Sequence, residues 1–161
     1  MAISLLLMVS SALPASLSCE TSNFQSEVLS RVNHIRAAGA ICGNVSYPPA
    51  TPLRWDLRLQ QAANLHSQDM ANNNFFDHKS PTNGSTLSDR MLAAGYKYRS
   101  AGENISAGQA TAEKAIATWL ASPAHCVTLM KSDFVDLGVS CKTNSNAYYK
   151  TYWTLKAAAP I

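Results

Sequence analysis

FFDH at Phe75–His78, AGENI at Ala101–Ile105 and SPAHC at Ser122–Cys126 are the blocks from which this chain is best read. They hold two histidines and one glutamate, His78, His125 and Glu103, among apolar and small residues. Polar groups this far apart in sequence act together only if the fold brings them to one place. The segments around them decide whether it does.

Ahead of the first block, Phe24, Val28, Val32 and Ile35 fall at helical spacing between Asn23 and Ala40, with Gly39 weakening the end. Asn33, His34 and Arg36 share that helix. Gly43, Pro48, Pro49 and Pro52 make the next stretch a loop, since proline removes a backbone donor and restricts its neighbour. Trp55, Leu59, Ala62, Ala63, His66 and Met70 then repeat at three and four, a second helix closed by Asn72–Asn74. His66 lies on the apolar stripe of this helix. It reads as a hydrogen-bonded core histidine rather than a ligand, because buried polar groups find local partners.

Between the blocks, Lys79 to Ser85 is a polar turn built on Asn83-Gly84. Thr86 or Ser85 caps a short helix with Leu87, Met91 and Ala94 inward and Gly95 at its end. Tyr96 and Tyr98 lead into AGENI, which reads as an ordered loop with the Asn104 amide arranging the backbone around Glu103. Thr111 caps a helix with Ala112, Ala115, Ile116 and Trp119 inward and Glu113 in its first turn. Ser122-Pro123 ends that helix and opens another turn. Beyond Lys131 the period changes to two: Leu137, Val139 and Cys141 alternate, Asn144–Asn146 turns the chain, and Tyr148 to Lys156 reads as the returning strand. Helices in front and a hairpin behind predict an α+β domain with an antiparallel sheet covered by helices.

The length of 161 residues is that of one domain. The net charge of +3 is spread without a dense basic run, which excludes a nucleic-acid footprint. Ile3–Val9 is apolar, Ser10–Ser18 is small, and no charge precedes Glu20. Such a run is too short for a transmembrane helix and has the form of a secretory signal over residues 1–18, leaving a domain over 19–161. The absence of Lys or Arg beside Met1 departs from that form. Export to the outside or the periplasm is the expectation, as a monomer. The four cysteines, Cys19, Cys42, Cys126 and Cys141, suit an oxidising compartment and match no zinc ribbon. A bond between Cys126 and Cys141 would clip a helix to the next strand and leave Cys19 and Cys42 to bracket the first helix, but three connectivities are open. In a competing reading Cys19 carries lipid, and Cys42 then lacks a partner.

Taken together and in order, the blocks resemble the CAP superfamily of cysteine-rich secretory, antigen 5 and pathogenesis-related proteins. The resemblance runs from Val28 to Trp153 and rests on PLRW at Pro52–Trp55, FFDH, GENI, the Trp119–His125 run, Leu137-Gly138-Val139 and Tyr152-Trp153-Thr154. It implies a three-layer α-β-α sandwich with a central cleft holding His78, Glu103 and His125, lined also by Asn104, Ser122 and Trp119. The animal and plant pattern has a further glutamate where this chain has Ser122, and a glutamine where it has Leu155. The reduced set is closer to the bacterial branch.

Two imidazoles and one carboxylate, with water in the fourth place, satisfy tetrahedral zinc or another divalent cation. Alternatively Glu103 accepts a ring N–H and sets one histidine's tautomer, or the three residues form a purely structural polar cluster. Two functions follow. The first is a non-enzymatic extracellular binding module for a lipid-like molecule or a protein partner, a reading the family's sterol and lipid binding motivates. The second is a metal-assisted hydrolase with Glu103 as base. No HExxH or GxSxG accompanies it, and Ser122, three residues from His125 with Pro123 between, reads as a turn residue rather than a nucleophile.

Overall fold

The computed structural model describes residues 18–161. The apolar run and the proposed signal over residues 1–18 thus fall, but for Ser18, outside the described residues.

Helix α1 (Phe24–Ala38) is followed by a two-stranded ribbon, β1 (Ala40–Cys42) and β2 (Val45–Tyr47). The short strand β3 (Arg54–Trp55) leads to α2 (Leu57–Asn73), whose N-cap Asp56 accepts from the backbone N–H of Arg58 and Leu59. Asn74 closes α2 in the left-handed conformation that asparagine tolerates. Helix α3 (Leu87–Ala93) starts at a Thr86–Asp89 capping box. Strand β4 (Tyr98–Ala107) follows, then α4 (Ala112–Ala121) with Thr111 as its cap, α5 (Pro123–Met130), and the hairpin β5 (Asp136–Thr143) and β6 (Thr151–Pro160).

The main sheet runs β3-β5-β6-β4. Its long pairs, β5 with β6 and β6 with β4, are antiparallel, while β3 joins β5 in parallel through two residues. Alternation along β5 and β6 sorts the two faces. Leu137, Val139, Cys141, Trp153, Leu155 and Ala157 enter one core with Phe24, Val28 and Val32 of α1 and Ala115, Ile116 and Trp119 of α4. On the other face Ala158 packs with Leu59 and Ala62 of α2 and Met91 of α3. A helical layer therefore covers each side of the sheet, giving the three-layer α-β-α sandwich. Gly138 lets α2 approach closely: a Cβ there would lie 2.1 Å from the Gln60 nitrogen.

Two expectations are corrected. AGENI is not a loop but lies inside β4, paired residue for residue with β6. The last strand begins at Thr151 rather than Tyr148 and continues past Lys156 to Pro160. Tyr148 instead belongs to the turn, held by its N–H donating to Asn74 Oδ1 at 2.7 Å.

The disulfides are Cys19–Cys141 and Cys42–Cys126. Neither Cys126–Cys141 nor Cys19–Cys42 forms, because Cys126 on α5 faces the β1–β2 ribbon while Cys141 on β5 faces the segment before α1. Cys19, the residue of the lipid-bearing alternative, is bonded to Cys141 in this structure. Among the described residues no helix is long and apolar enough to cross a membrane.

Candidate functional site

Glu103 sits near the middle of β4, directly opposite Lys156 of β6. Both side chains point toward the α2–α3 layer, and both are buried, at 3% and 0% exposure. Lys156 Nζ donates to Glu103 Oε2. Arg90 of α3, itself 4% exposed, donates from Nη2 to both carboxylate oxygens at 3.1 and 3.3 Å. Its other bonds, to the carbonyls of Ser85 and His78 at 2.9 Å each, tie the loop between α2 and α3 to the same centre.

His78 follows α2 on that loop and is half exposed. Its Nδ1 stands 2.8 Å from Glu103 Oε1. A carboxylate between two cations only accepts, so Nδ1 carries the hydrogen that points at Glu103, and Nε2 takes no part in that contact. Burial by itself would raise the Glu103 pKa, but the His78 hydrogen bond and the charges of Lys156 and Arg90 overcome it and hold the carboxyl well below its ordinary range. Lys156 is pushed down to about 8 by burial against the opposing pull of Glu103, so it remains largely an ammonium at neutral pH. His66 is fully buried and donates from Nε2 to the Asp77 carbonyl at 2.9 Å. Burial lowers its pKa to about 4, and it is neutral.

His125 lies in the first turn of α5 and is half-buried. Its pKa is lowered, first by burial and then by the charge of His78. Its backbone carbonyl accepts from Asn104 Nδ2 at 2.9 Å, so Asn104 anchors the start of α5 to β4 rather than ordering a loop around Glu103. Asn104 points to the α5 side of the sheet, opposite to Glu103, as strand alternation requires. Ser122 joins α4 to α5, and its carbonyl accepts the Cys126 N–H at 2.8 Å. Trp119 does not line the cleft. It is fully buried in the core between α1, α4 and the sheet.

A model of the cysteine-rich secretory protein family matches residues 29–156, the stretch that holds all of these side chains. The chain belongs to that family. It is 42% identical over 88 residues to YkwD, an uncharacterised protein of Bacillus subtilis, covering 55% of this chain and 34% of the relative. An extracellular protein of Bacillus anthracis containing an SCP domain superposes with a TM-score of 0.68 at 31% identity, over 84% of this chain and 40% of that one. An outer surface protein of Borrelia burgdorferi shares the fold with a TM-score of 0.71 at 16% identity, covering 89% of this chain and 98% of its own. The chain thus spans well under half of the two Bacillus proteins.

The residues do not fit a cation held jointly by His78, Glu103 and His125. Among the described residues no group of three His, Cys, Asp or Glu side chains is placed to hold a metal ion. Both oxygens of Glu103 are engaged by Lys156, Arg90 and His78. For the same reason Glu103 is a poor general base: a base works best with a pKa near the working pH, and this one is held far below it. What the arrangement does offer is one imidazole held through its Nδ1, on a support of buried charges.

Arg90 and Lys156 are the members of this centre that reading the sequence did not single out. A signal existed for each. Arg90 falls on the same helical face as Leu87, Met91 and Ala94, and Lys156 is a lone charge set between Leu155 and three alanines.

Proposed function

We propose that this domain is an exported, non-enzymatic binding module that holds an amphipathic, lipid-like molecule. The observation that carries the reading is a groove of about 560 Å³ between α1 and α4. Its lining includes Ile35, Ile116, Ala117 and Leu120, with Arg31 and His34 beside them. Four apolar lining residues face five polar or charged ones, a mixed surface that suits an amphipathic ligand rather than a wholly apolar one. Arg31 spans the groove, pairing with Glu27 on its own helix at 3.1 Å and with Glu113 of α4 at 3.5 Å. A ligand with an acyl chain and an anionic head could lay the chain on the floor and exchange its head for one of these carboxylates. Two disulfides favour an oxidising compartment, which supports export.

The test is uptake of a fluorescent fatty acid by the purified protein and by Ala117→Trp. Ala117 is exposed and lines the groove, so an indole there fills the site without entering the core. Saturable binding that Ala117→Trp abolishes is the expected result. Uptake no greater than that of an unrelated exported domain, or equal uptake by the variant, overturns the reading.

A further inference from the structure

Glu103 carries a buried negative charge, and such a charge needs a cation beside it. A metal ion is one solution. Here the chain provides another. We propose that Lys156, with Arg90, supplies internally the positive charge that a divalent ion would bring to Glu103, so that the cleft of this protein is closed to metal by its own lysine. The inference concerns the centre between β4, β6 and α3 and is independent of the groove between α1 and α4.

Three observations carry it. First, the carboxylate has no face left for a ligand. His78 Nδ1 and Arg90 Nη2 reach Oε1 at 2.8 and 3.3 Å, while Lys156 Nζ and Arg90 Nη2 take Oε2. Second, the place of Lys156 is set by the sheet. Its Cα is paired with that of Glu103 in the β4–β6 ladder, and the side chain is wholly buried. It cannot swing into solvent to make room, as a lysine on a loop could. Third, the charge count is unfavourable for any incoming cation. Glu103 is outnumbered by Arg90 and Lys156, and a divalent ion at the carboxylate would add two like charges within a few ångströms in a poorly screened site.

The histidines do not replace what Glu103 withholds. His78 spends Nδ1 on Glu103 and has Nε2 alone to offer. With one nitrogen from His125, that makes a two-ligand site, short of the three protein ligands that zinc takes in its open sites. The family's histidines thus serve here without a metal between them, and Glu103 acts as a positioning residue that sets the tautomer of His78 from behind.

Zinc titration by calorimetry on the chelator-treated wild type, on Lys156→Met and on His78→Ala tests this. Methionine keeps the length of the lysine stem and leaves Glu103 with Arg90 and His78 as partners. Wild type is expected to show no zinc binding that His78→Ala removes, and Lys156→Met to gain binding at least about tenfold tighter than the weakest the calorimeter detects, one like charge having been taken from the carboxylate. Stoichiometric binding by wild type at micromolar zinc that His78→Ala abolishes overturns the proposal. A folded Lys156→Met with no gain in affinity overturns it as well. Should Lys156→Met not fold, which circular dichroism reports, the comparison of wild type with the half-exposed His78→Ala decides alone.

Discussion

His66 shows how one side chain makes the stability of the fold depend on pH. It is wholly buried among Glu103, Arg90 and Lys156 and is fixed by the Asp77 carbonyl. Its pKa of about 4 in the folded state lies below the value of about 6.5 in an unfolded chain, so the unfolded state binds the extra proton first as pH falls. The stability it contributes is complete above pH 6.5 and is lost progressively toward pH 4, about 3 kcal/mol at most. Glu103, also depressed, adds a loss of the same sign that begins as pH falls into the ordinary carboxylate range and continues below it. Urea unfolding at pH 7 and pH 4.5 is expected to show a smaller drop for His66→Gln than for wild type. An equal drop would remove His66 as the cause. That His66 is a core histidine was legible from its place on an apolar helical stripe. Its charged neighbours were not, since Arg90 and Lys156 come from elements far along the chain.

At the level of elements, helices were easier to read than strands. The caps Thr86 and Thr111 and the left-handed stop at Asn74 are local devices, and each acts where its sequence signal lies. AGENI misled because Gly, Glu and Asn are poor strand formers in isolation. What makes it a strand is the ladder to β6, which runs from Tyr98 to Ala107 and overrides local preference. Likewise Gly138 looked like one residue of a family motif, whereas its role is to let α2 lie against β5. Gly138→Ala would set a methyl 2.1 Å from the Gln60 nitrogen and 2.3 Å from the Leu59 carbonyl carbon, both backbone atoms that cannot yield cheaply. A loss of about 3 kcal/mol or more in chemical denaturation is expected. Gly95→Ala gives no matching control for space alone, because its φ of +78° strains any side chain.

Over the molecule as a whole, two long covalent loops tie the layers together. Cys42–Cys126 joins residues 84 apart and links the β1–β2 ribbon to α5, and Cys19–Cys141 joins residues 122 apart and straps the segment before α1 to β5. Loops of this length restrict the unfolded chain strongly, so Cys42→Ser with Cys126→Ser is expected to cost about 2–5 kcal/mol, read from the urea midpoint of the oxidised protein. Glu20 reinforces the second strap by accepting from the Cys141 N–H at 2.8 Å and the Ser140 hydroxyl at 2.7 Å. Read alone, the sequence determined the α+β class, the order of the helices and the hairpin, and the family, because periodicity, caps and short motifs are written in neighbouring residues. Only the tertiary structure decided which cysteines meet, that Trp119 belongs to the core, and that Glu103 faces Lys156 and Arg90. Those outcomes depend on how the helices pack and on strand register, and a shift of one residue in register would turn Glu103, Lys156 or Cys141 to the other layer. The blocks FFDH, AGENI and SPAHC named the histidines and the glutamate. The sheet assigned the glutamate to a lysine.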